Sequence, residues 1–355
     1  MTILIRTDGS QHLGLGHIMR CLAFAQSLEK LGTKSTFVTR DYESKVVEII
    51  RRYGCSVELI PQSCSFQEDL LLTSELANQY RSKLIMADLC NTDTLANLDE
   101  YGEYLQGLKD TDKFLITIDD LTGILFPSDI VINPNYGAEN VNYASNKSTK
   151  FLLGPAYFIF RQEFIEAGKG NREIKKDVQN ILVTMGGSDL LSLTLKVAKA
   201  LTRLGKTADL NLRIVLGIDY TDSRKRELGK TLKDFTGIYE LIHGSDNMAR
   251  FMLWADLAIT SGGLTKYETA VTGTPSIIIS QIAHQAALAE EFEREGTALN
   301  LGLGTRNSEE NIAEAVSRLL RDGALRAEMS KRGRKLVDGK GIERIISEVP
   351  KEVWS

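Results

Sequence analysis

Short runs of apolar residues alternate along this chain with longer segments whose apolar positions recur every three or four residues. Near-continuous apolar runs are typical of parallel strands that are buried on both faces. The first half contains six such runs: ILIRT, STFVT, SVELI, KLIMAD, FLITIDD and DIVIN. The second half contains five more: ILVTMGGSD, LRIVLG, GIYELI, ADLAITSGG and PSIIIS. All eleven are predicted strands.

The segment after the first run predicts a helix. Its apolar positions follow steps of three and four residues, and Gly32 is placed to end it as a left-handed cap. The positions on this face are Ile18, Cys21, Leu22, Ala25 and Leu28.

Residues 166–180, EAGKGNREIKKDVQN, are polar and charged and resemble a linker. Strand–helix alternation on both sides of it predicts an α/β protein of two doubly wound, Rossmann-like domains, over residues 1–166 and 180–355. We expect a helical C-terminal extension from about residue 306. Ligands of such folds bind at the carboxyl ends of the strands, so we expect the cleft there.

The composition excludes several classes of protein. The chain has 355 residues, 43% of them hydrophobic and 25% charged, and a formal net charge of −4, so no basic field favours nucleic acid. No apolar run approaches the roughly 20 residues that span a bilayer. The chain opens directly on a strand, without the pattern of a signal peptide. We therefore expect a cytoplasmic protein that binds neither nucleic acid nor membrane.

The cysteines and histidines show no spacing that is typical of metal ligands. We expect reduced thiols at all four cysteines, no metal and no cofactor. The cysteines are Cys21, Cys55, Cys64 and Cys90.

Three glycine-bearing turns each follow a predicted strand and open a helix: GLGH at 14–17, GGSD at 186–189 and SGGLTKYE at 261–268. Glycine permits close backbone approach, and a helix N-terminus offers free amides to phosphate. Glycine turns also occur in any α/β protein, but three of them in two domains favour a phosphorylated ligand. GxxxxGK[ST] is absent, and Met19 stands where a dinucleotide fingerprint needs its third glycine, so NAD is not expected.

Glu268 lies five residues after Gly263, inside the helix that this turn opens. A carboxylate there can accept hydrogen bonds from two ribose hydroxyls. The alternative is a solvated helix glutamate, and Lys266 has the same alternative.

His17 is the candidate catalytic residue. The positive end of a helix disfavours a protonated ring, and a neutral imidazole is what a general base requires. Asp8, at the end of the first strand, is placed to orient the ring. The alternative is a histidine that merely caps a helix. His284, after PSIIIS, is a second histidine placed to face the cleft.

Carboxylates also end two other strands of the first half, Asp88 in IMAD and the pair Asp119 and Asp120 in TIDD. At strand ends they are candidates for substrate contacts, although an aspartate there often only caps a turn.

The chain resembles the UDP-2,4-diacetamido-2,4,6-trideoxy-β-L-altropyranose hydrolases of pseudaminic acid biosynthesis, and it is similar also to spore-coat polysaccharide proteins. The resemblance rests on IRTDGSQHLGLGHIMRCLAFAQSL, IDDL, GPAYFIFRQEF, ILVTMGGSD and SGGLTKYETAVTGTPSIII, in this order, over residues 2–305. It implies a glycosyltransferase-B fold and the release of UDP and a free sugar by water. The family's catalytic histidine falls on His17, and its nucleotide contacts fall on Gly186, Gly187, Ser261, Gly262, Gly263 and Glu268.

Two positions depart from the family's usual pattern. Its Asp-x-Tyr is Asp88, Leu89, Cys90 here, and its Asn-Gln is His284, Gln285. Both positions are expected near the sugar, so we predict a UDP-linked amino-deoxy sugar other than the altropyranose. The remaining predicted substrate contacts are Asp8, Gly14, Gly16 and Arg20.

The sequence therefore predicts a metal-independent nucleotide-sugar hydrolase of surface-glycan biosynthesis, with His17 as general base and UDP on the second domain. A glycosyltransferase on the same scaffold and a non-catalytic nucleotide-sugar binding protein are the alternatives. The oligomeric state stays open.

Overall fold

A computed structural model describes residues 2–10, 15–42, 44–89, 97–119, 124–144, 148–187, 189–204, 209–217, 220–245 and 247–354. The chain divides into two compact units. One comprises residues 1–162 together with 339–355, and the other comprises residues 163–338.

The first unit is built on a parallel sheet of seven strands in the order β3-β2-β1-β4-β5-β6-β7. The strands are β1 (Thr2–Thr7), β2 (Lys34–Arg40), β3 (Ser56–Ile60), β4 (Leu84–Asp88), β5 (Phe114–Ile118), β6 (Ile130–Asn133) and β7 (Lys150–Leu153). The helices between them are α1 (Gly16–Glu29), α2 (Ser44–Arg52), α3 (Phe66–Gln79) and α4 (Leu98–Lys109).

The second unit is built on a parallel sheet of six strands in the order β10-β9-β8-β11-β12-β13. The strands are β8 (Asn180–Thr184), β9 (Asn211–Leu216), β10 (Ile238–His243), β11 (Leu257–Thr260), β12 (Ser276–Ser280) and β13 (Leu299–Leu303). The helices are α5 (Gln162–Lys169), α6 (Leu193–Thr202), α7 (Asp222–Thr231), α8 (Ala249–Trp254), α9 (Thr265–Thr272), α10 (Ala283–Arg294), α11 (Glu309–Arg321) and α12 (Gly323–Leu336). A last helix, α13 (Gly341–Glu348), belongs to the first unit.

The prediction of two doubly wound α/β domains is confirmed, and all eleven predicted strands form. The central strands β4 and β11 are buried at every position, as their apolar runs require. The predicted helix is α1, and Gly32 has a φ of +81° shortly after its end.

Two strands escaped prediction, and both lie at a sheet edge. β7 (KFLL) begins with an exposed lysine, and β13 (LNLGL) contains an asparagine and a glycine and is only half-buried. Edge strands need fewer apolar residues, because part of their surface faces solvent.

The C-terminal segment departs from the expected domain boundaries. The helices α11 and α12 follow the second unit as expected, but residues 339–355 pack on the first unit. A Cβ on Gly341 would lie 2.2 Å from the carbonyl oxygen of Phe158, so only glycine permits this contact. Nη1 of Arg344 donates a 2.9 Å hydrogen bond to the carbonyl oxygen of Ala156. These contacts hold the segment on the first unit.

No helix within the described ranges is both long and apolar enough to cross a membrane.

Candidate functional site

In the first unit, the predicted catalytic residue lies against Asp88. Asp88 is the last residue of β4, pairs in register with Thr7 of β1 and is fully buried. α1 begins at Gly16 and carries His17 and Arg20 on one face, since residues three apart are neighbours on a helix. The sheet and the helix therefore bring three predicted site residues together.

The contacts around Asp88 are short and charged. Nδ1 of His17 lies 2.7 Å from Oδ1 of Asp88. Arg20 binds the same carboxylate side-on, donating from Nε to Oδ2 at 2.6 Å and from Nη2 to Oδ1 at 2.5 Å. Two parallel hydrogen bonds of this kind fix the carboxylate in orientation as well as in charge.

Asp88 is held in its ionised form. Burial on its own raises the pKa of an aspartate, but the adjacent Arg20 guanidinium and the His17 ring outweigh burial and keep the pKa of Asp88 well below its ordinary value. Nδ1 of His17 also lies 2.9 Å from Nη2 of Arg20, which can only donate, so the two contacts call for opposite tautomers of the ring. An ionised carboxylate only accepts hydrogen bonds, so the bond to Asp88 requires the tautomer with the hydrogen on Nδ1. In the neutral ring, Nε2 is then the basic nitrogen.

Cys21 completes the surroundings of Asp88. Its Sγ donates to Oδ2 of Asp88 at 3.4 Å, and the side chain is fully buried. Burial raises the pKa of this thiol, and the Asp88 charge raises it further, so Cys21 remains a protonated donor. Cys55 and Cys64 are also free thiols, whereas Cys90 lies outside the described residues.

Asp8 does not take the role that the sequence suggested for it, because the carboxylate on the His17 ring is that of Asp88. The oxygens of Asp8 accept from Nη1 and Nη2 of Arg6 at 2.6 and 2.9 Å and from the backbone N–H of Arg40 at 2.8 Å. Arg6 lies two residues before Asp8 along the chain, and its guanidinium binds both oxygens of this carboxylate.

The same arginine binds a second carboxylate that sequence reasoning missed. Nη2 of Arg6 donates to Oδ2 of Asp69 on α3 at 2.6 Å, and both side chains are fully buried. Tyr104 on α4 donates to Oδ1 of Asp69 at 3.1 Å. An acidic residue on the buried face of a helix is a detectable signal in retrospect, because such a charge needs a partner.

The other predicted site residues of the first unit lie at the end of β5, at the start of α1 or outside the described residues. Asp119 is buried and accepts from the Tyr143 hydroxyl at 2.8 Å, which anchors the end of β5. Gly16 is the first residue of α1. Gly14 and Asp120 lie outside the described residues.

In the second unit, several glycines in or next to the two predicted turns have a backbone conformation or a close contact that disfavours a side chain. Gly186 has a φ of +81°, a conformation that favours glycine. A Cβ on Gly217, just after β9, would lie 2.0 Å from the carbonyl oxygen of Gly187. A Cβ on Gly262 would lie 2.2 Å from Oγ of Ser280 and 3.2 Å from Cβ of Gln285. The backbone conformation therefore favours glycine at Gly186, and close packing favours it at Gly217 and Gly262, whereas a Cβ on Gly187 would meet no atom within 4 Å.

Lys266 does not project from its helix as a free cation. Its Nζ donates to the carbonyl oxygens of Gly262 at 2.8 Å and Gly263 at 3.2 Å, and it lies 4.9 Å from the centre of the Tyr267 ring. The side chain is almost entirely buried. These contacts hold the Ser261–Gly263 turn in place.

The remaining predicted residues of this unit occupy the same edge of the sheet. Ser261 is buried directly after β11, and Glu268 is half-buried on α9. His284 is exposed in the first turn of α10, and Gln285 follows it, half-buried. All of them follow the carboxyl ends of β11 and β12, where such sheets bind ligands.

Two further residues of this edge were missed by sequence reasoning. Gln281 follows β12 and bonds the chain on either side of the first glycine turn, and Arg224 on α7 donates to the carbonyl oxygen of Asp189 at 2.5 Å. Neither belongs to a recognisable pattern, because their partners lie 35 to 96 residues away.

Across the described parts of both units, no group of three or more histidine, cysteine, aspartate or glutamate side chains is arranged to hold a metal ion.

Comparison with known proteins is consistent with this geometry. The sequence profile of the glycosyltransferase family 28 C-terminal domain matches residues 180–345. The spore coat polysaccharide biosynthesis protein SpsG of Bacillus subtilis is 30% identical over 351 residues, which are 98% of this chain and 97% of the relative. The chain belongs to the SpsG family.

The chain is also similar to a named hydrolase in sequence and to a solved structure in fold. A UDP-2,4-diacetamido-2,4,6-trideoxy-beta-L-altropyranose hydrolase of Campylobacter jejuni is 27% identical to this SpsG family member over 210 residues, which are 57% of the chain and 66% of the relative. The crystal structure of MurG from Acinetobacter baumannii superposes with a TM-score of 0.71 at 13% identity, covering 99% of each chain. The predicted glycosyltransferase-B fold is thereby confirmed.

Proposed function

We propose that this SpsG family member is a nucleotide-sugar enzyme of surface-glycan biosynthesis that hydrolyses a UDP-linked amino-deoxy sugar to UDP and the free sugar. The observation that carries the proposal is the hydrogen bond between Nδ1 of His17 and the ionised carboxylate of Asp88. With the ring hydrogen on Nδ1, Nε2 is the proposed base, and the His17 side chain is 17% exposed. The names of the SpsG and altropyranose hydrolase relatives support the pathway and the reaction.

His17 acts as the general base in the proposed reaction. Nε2 takes a proton from water as the water oxygen attacks the anomeric carbon, and the bond to the diphosphate oxygen breaks. Asp88 stabilises the imidazolium that forms, since an anion beside Nδ1 favours the charged ring. Arg20, bonded to both oxygens of Asp88, acts as a positioning residue for this pair.

The second unit is the proposed UDP site. The backbone amides at Gly186, Gly187 and the Ser261–Gly263 turn are proposed to bind the diphosphate and to stabilise its charge as it departs. Glu268 is proposed to accept hydrogen bonds from the ribose hydroxyls. The charge of the leaving group is met by amides in this proposal, so the reaction is expected to proceed in EDTA.

A glycosyltransferase is the second candidate, and the match to the glycosyltransferase family 28 C-terminal domain favours it. The same His17–Asp88 pair would then deprotonate an acceptor hydroxyl in place of water. Both reactions release UDP, and they differ in whether an acceptor is required.

The test is a panel of UDP-linked amino-deoxy sugars, assayed for UDP release in H₂¹⁸O with EDTA and without an acceptor. Release of UDP with ¹⁸O in the free sugar supports hydrolysis at the anomeric carbon. Release that requires an added acceptor supports the transferase. UDP binding without turnover of any donor, with or without acceptor, would make the protein a non-catalytic binder and overturn the proposal.

A further inference from the structure

The side chain of Gln281 joins the two ends of the first glycine turn. Its Nε2 donates to the carbonyl oxygen of Met185 at 2.9 Å, and its Oε1 accepts from the backbone N–H of Leu190 at 2.7 Å. Met185 directly precedes Gly186, so one amide group holds the chain on both sides of the turn. We infer that Gln281 is a positioning residue that keeps the Gly186–Gly187 turn in its ligand-binding shape, an inference that rests on the proposed UDP site.

The chemistry of the contact is specific to a carboxamide. The side chain must donate at one end and accept at the other, and an amide does both in a fixed plane. A glutamate of the same shape accepts from Leu190 but sets an oxygen against the Met185 carbonyl. A methionine of similar length makes neither bond.

Gln281 also connects the first glycine turn to the second. Its backbone N–H donates to Oε1 of Gln285 at 3.3 Å, and Cβ of Gln285 lies 3.2 Å from where a Cβ on Gly262 would be. Gln281 therefore contacts the first turn directly and is linked to the second turn through Gln285.

The far side of the first turn is held independently. The carboxylate of Asp189 accepts from the backbone N–H groups of Leu193 and Thr194 at 2.7 and 2.9 Å and so caps α6. Arg224 holds the same stretch through the carbonyl oxygen of Asp189 and Oγ of Ser192. Because these contacts persist without Gln281, its substitution is expected to loosen the turn while the unit stays folded.

The experiment compares the UDP affinity of Gln281→Glu and Gln281→Met with that of the wild type by calorimetry at pH 8 and pH 5. At pH 8 the carboxylate faces a carbonyl oxygen, and we expect UDP to bind roughly 5- to 100-fold more weakly. At pH 5 a protonated carboxyl donates to Met185 again, since burial favours the neutral form, and the deficit relative to the wild type is expected to shrink. Gln281→Met is expected to show a similar deficit at both values.

Gln179→Glu serves as the matched control, because it adds the same charge at an exposed position of this unit and is expected to keep the wild-type affinity. Hydrogen exchange at the Leu190 amide gives a second readout, which is expected to accelerate in Gln281→Met. If Gln281→Met binds UDP like the wild type, the loss in Gln281→Glu is one of charge alone and the positioning role is overturned. If the wild type itself fails to bind UDP, it is the proposed function that fails.

Discussion

Nδ1 of His17 lies 2.7 Å from Oδ1 of Asp88, a residue 71 positions further along the chain. The two come from the start of α1 and the end of β4, which the fold places side by side. In the tautomer that donates from Nδ1 to Asp88, Nε2 is the nitrogen of His17 that we propose as the base.

Substitution of His17 by alanine is expected to lower kcat by about 100-fold or more, because general-base catalysis contributes on that order. The UDP affinity is expected to stay near that of the wild type, since the proposed UDP site belongs to the other unit. His243→Ala is the control, because His243 is an exposed residue of β10 and should leave turnover unchanged. Full activity of His17→Ala in a UDP-release assay would remove His17 from the mechanism.

Asp88→Asn is expected to reduce kcat more than it changes KM. The amide carries no charge to stabilise the protonated ring, and one of its ends sets an N–H₂ group against an N–H of Arg20. Steady-state kinetics of UDP release by the purified variant measures both parameters. A folded Asp88→Asn variant with the wild-type kcat would show that Asp88 only supports the fold.

The buried pair of Arg6 and Asp69 makes a prediction about acid stability. The Arg6 guanidinium outweighs burial and holds the pKa of Asp69 below its ordinary value. A lowered folded-state pKa stabilises the protein above the unfolded value of about 4, and the contribution is lost as the pH falls through the folded value. Asp69→Asn should therefore destabilise the protein by about 3–5 kcal/mol at pH 7.

Urea unfolding at pH 7 and below pH 4 measures the effect. The difference in the free energy of unfolding between the wild type and Asp69→Asn should narrow below pH 4, because the wild-type carboxylate becomes protonated there. Glu75→Gln, an exposed position of the same helix, should show no such gap. A gap that is constant with pH would mean that the charge of Asp69 is not the stabilising feature.

The carboxylate of Glu268 should discriminate between UDP and 2′-deoxy-UDP. If it pairs with both ribose hydroxyls, removal of one leaves an acceptor short of a partner and weakens binding by about 1–3 kcal/mol. Calorimetry of both nucleotides on wild type and Glu268→Gln checks this. If the wild type binds UDP and 2′-deoxy-UDP equally well, Glu268 does not bind the ribose and is a solvated residue of α9.

The sugar preference is expected to depend on His284 and Cys90. His284 is exposed in the first turn of α10, and Cys90 lies outside the described residues but follows β4 and Asp88 closely. We expect slow hydrolysis of the UDP-linked altropyranose and faster hydrolysis of another UDP-linked amino-deoxy sugar. The double variant Cys90→Tyr, His284→Asn should shift the ratio of kcat/KM toward the altropyranose, because a missing polar partner in a sugar pocket can change selectivity by orders of magnitude. A wild-type preference for the altropyranose would show that these positions do not set specificity.

Much of the fold was readable in the chain itself. Apolar runs flanked by helical periodicity predicted the central strands correctly, since a parallel strand buried on both faces needs apolar residues at nearly every position. The edge strands β7 and β13 lacked that signal because solvent covers part of their surface. The C-terminal segment was assigned to the wrong unit, because the contact of Gly341 with Phe158 joins residues 183 apart and leaves no local pattern.

In the candidate site, too, local features were predictable from the sequence and long-range contacts were not. The sequence determined by itself that His17 begins a helix, that glycines form the turns after β8 and β11, and that carboxylates end β1 and β4, because these are local consequences of chain geometry. Which carboxylate reaches His17 was decided only by the tertiary structure. Arg6 binds Asp8 and Asp69 in a buried network, while Arg20 binds Asp88, which contacts the His17 ring. Such choices depend on how charges from distant segments neutralise one another when they are buried together, and no local pattern encodes that balance.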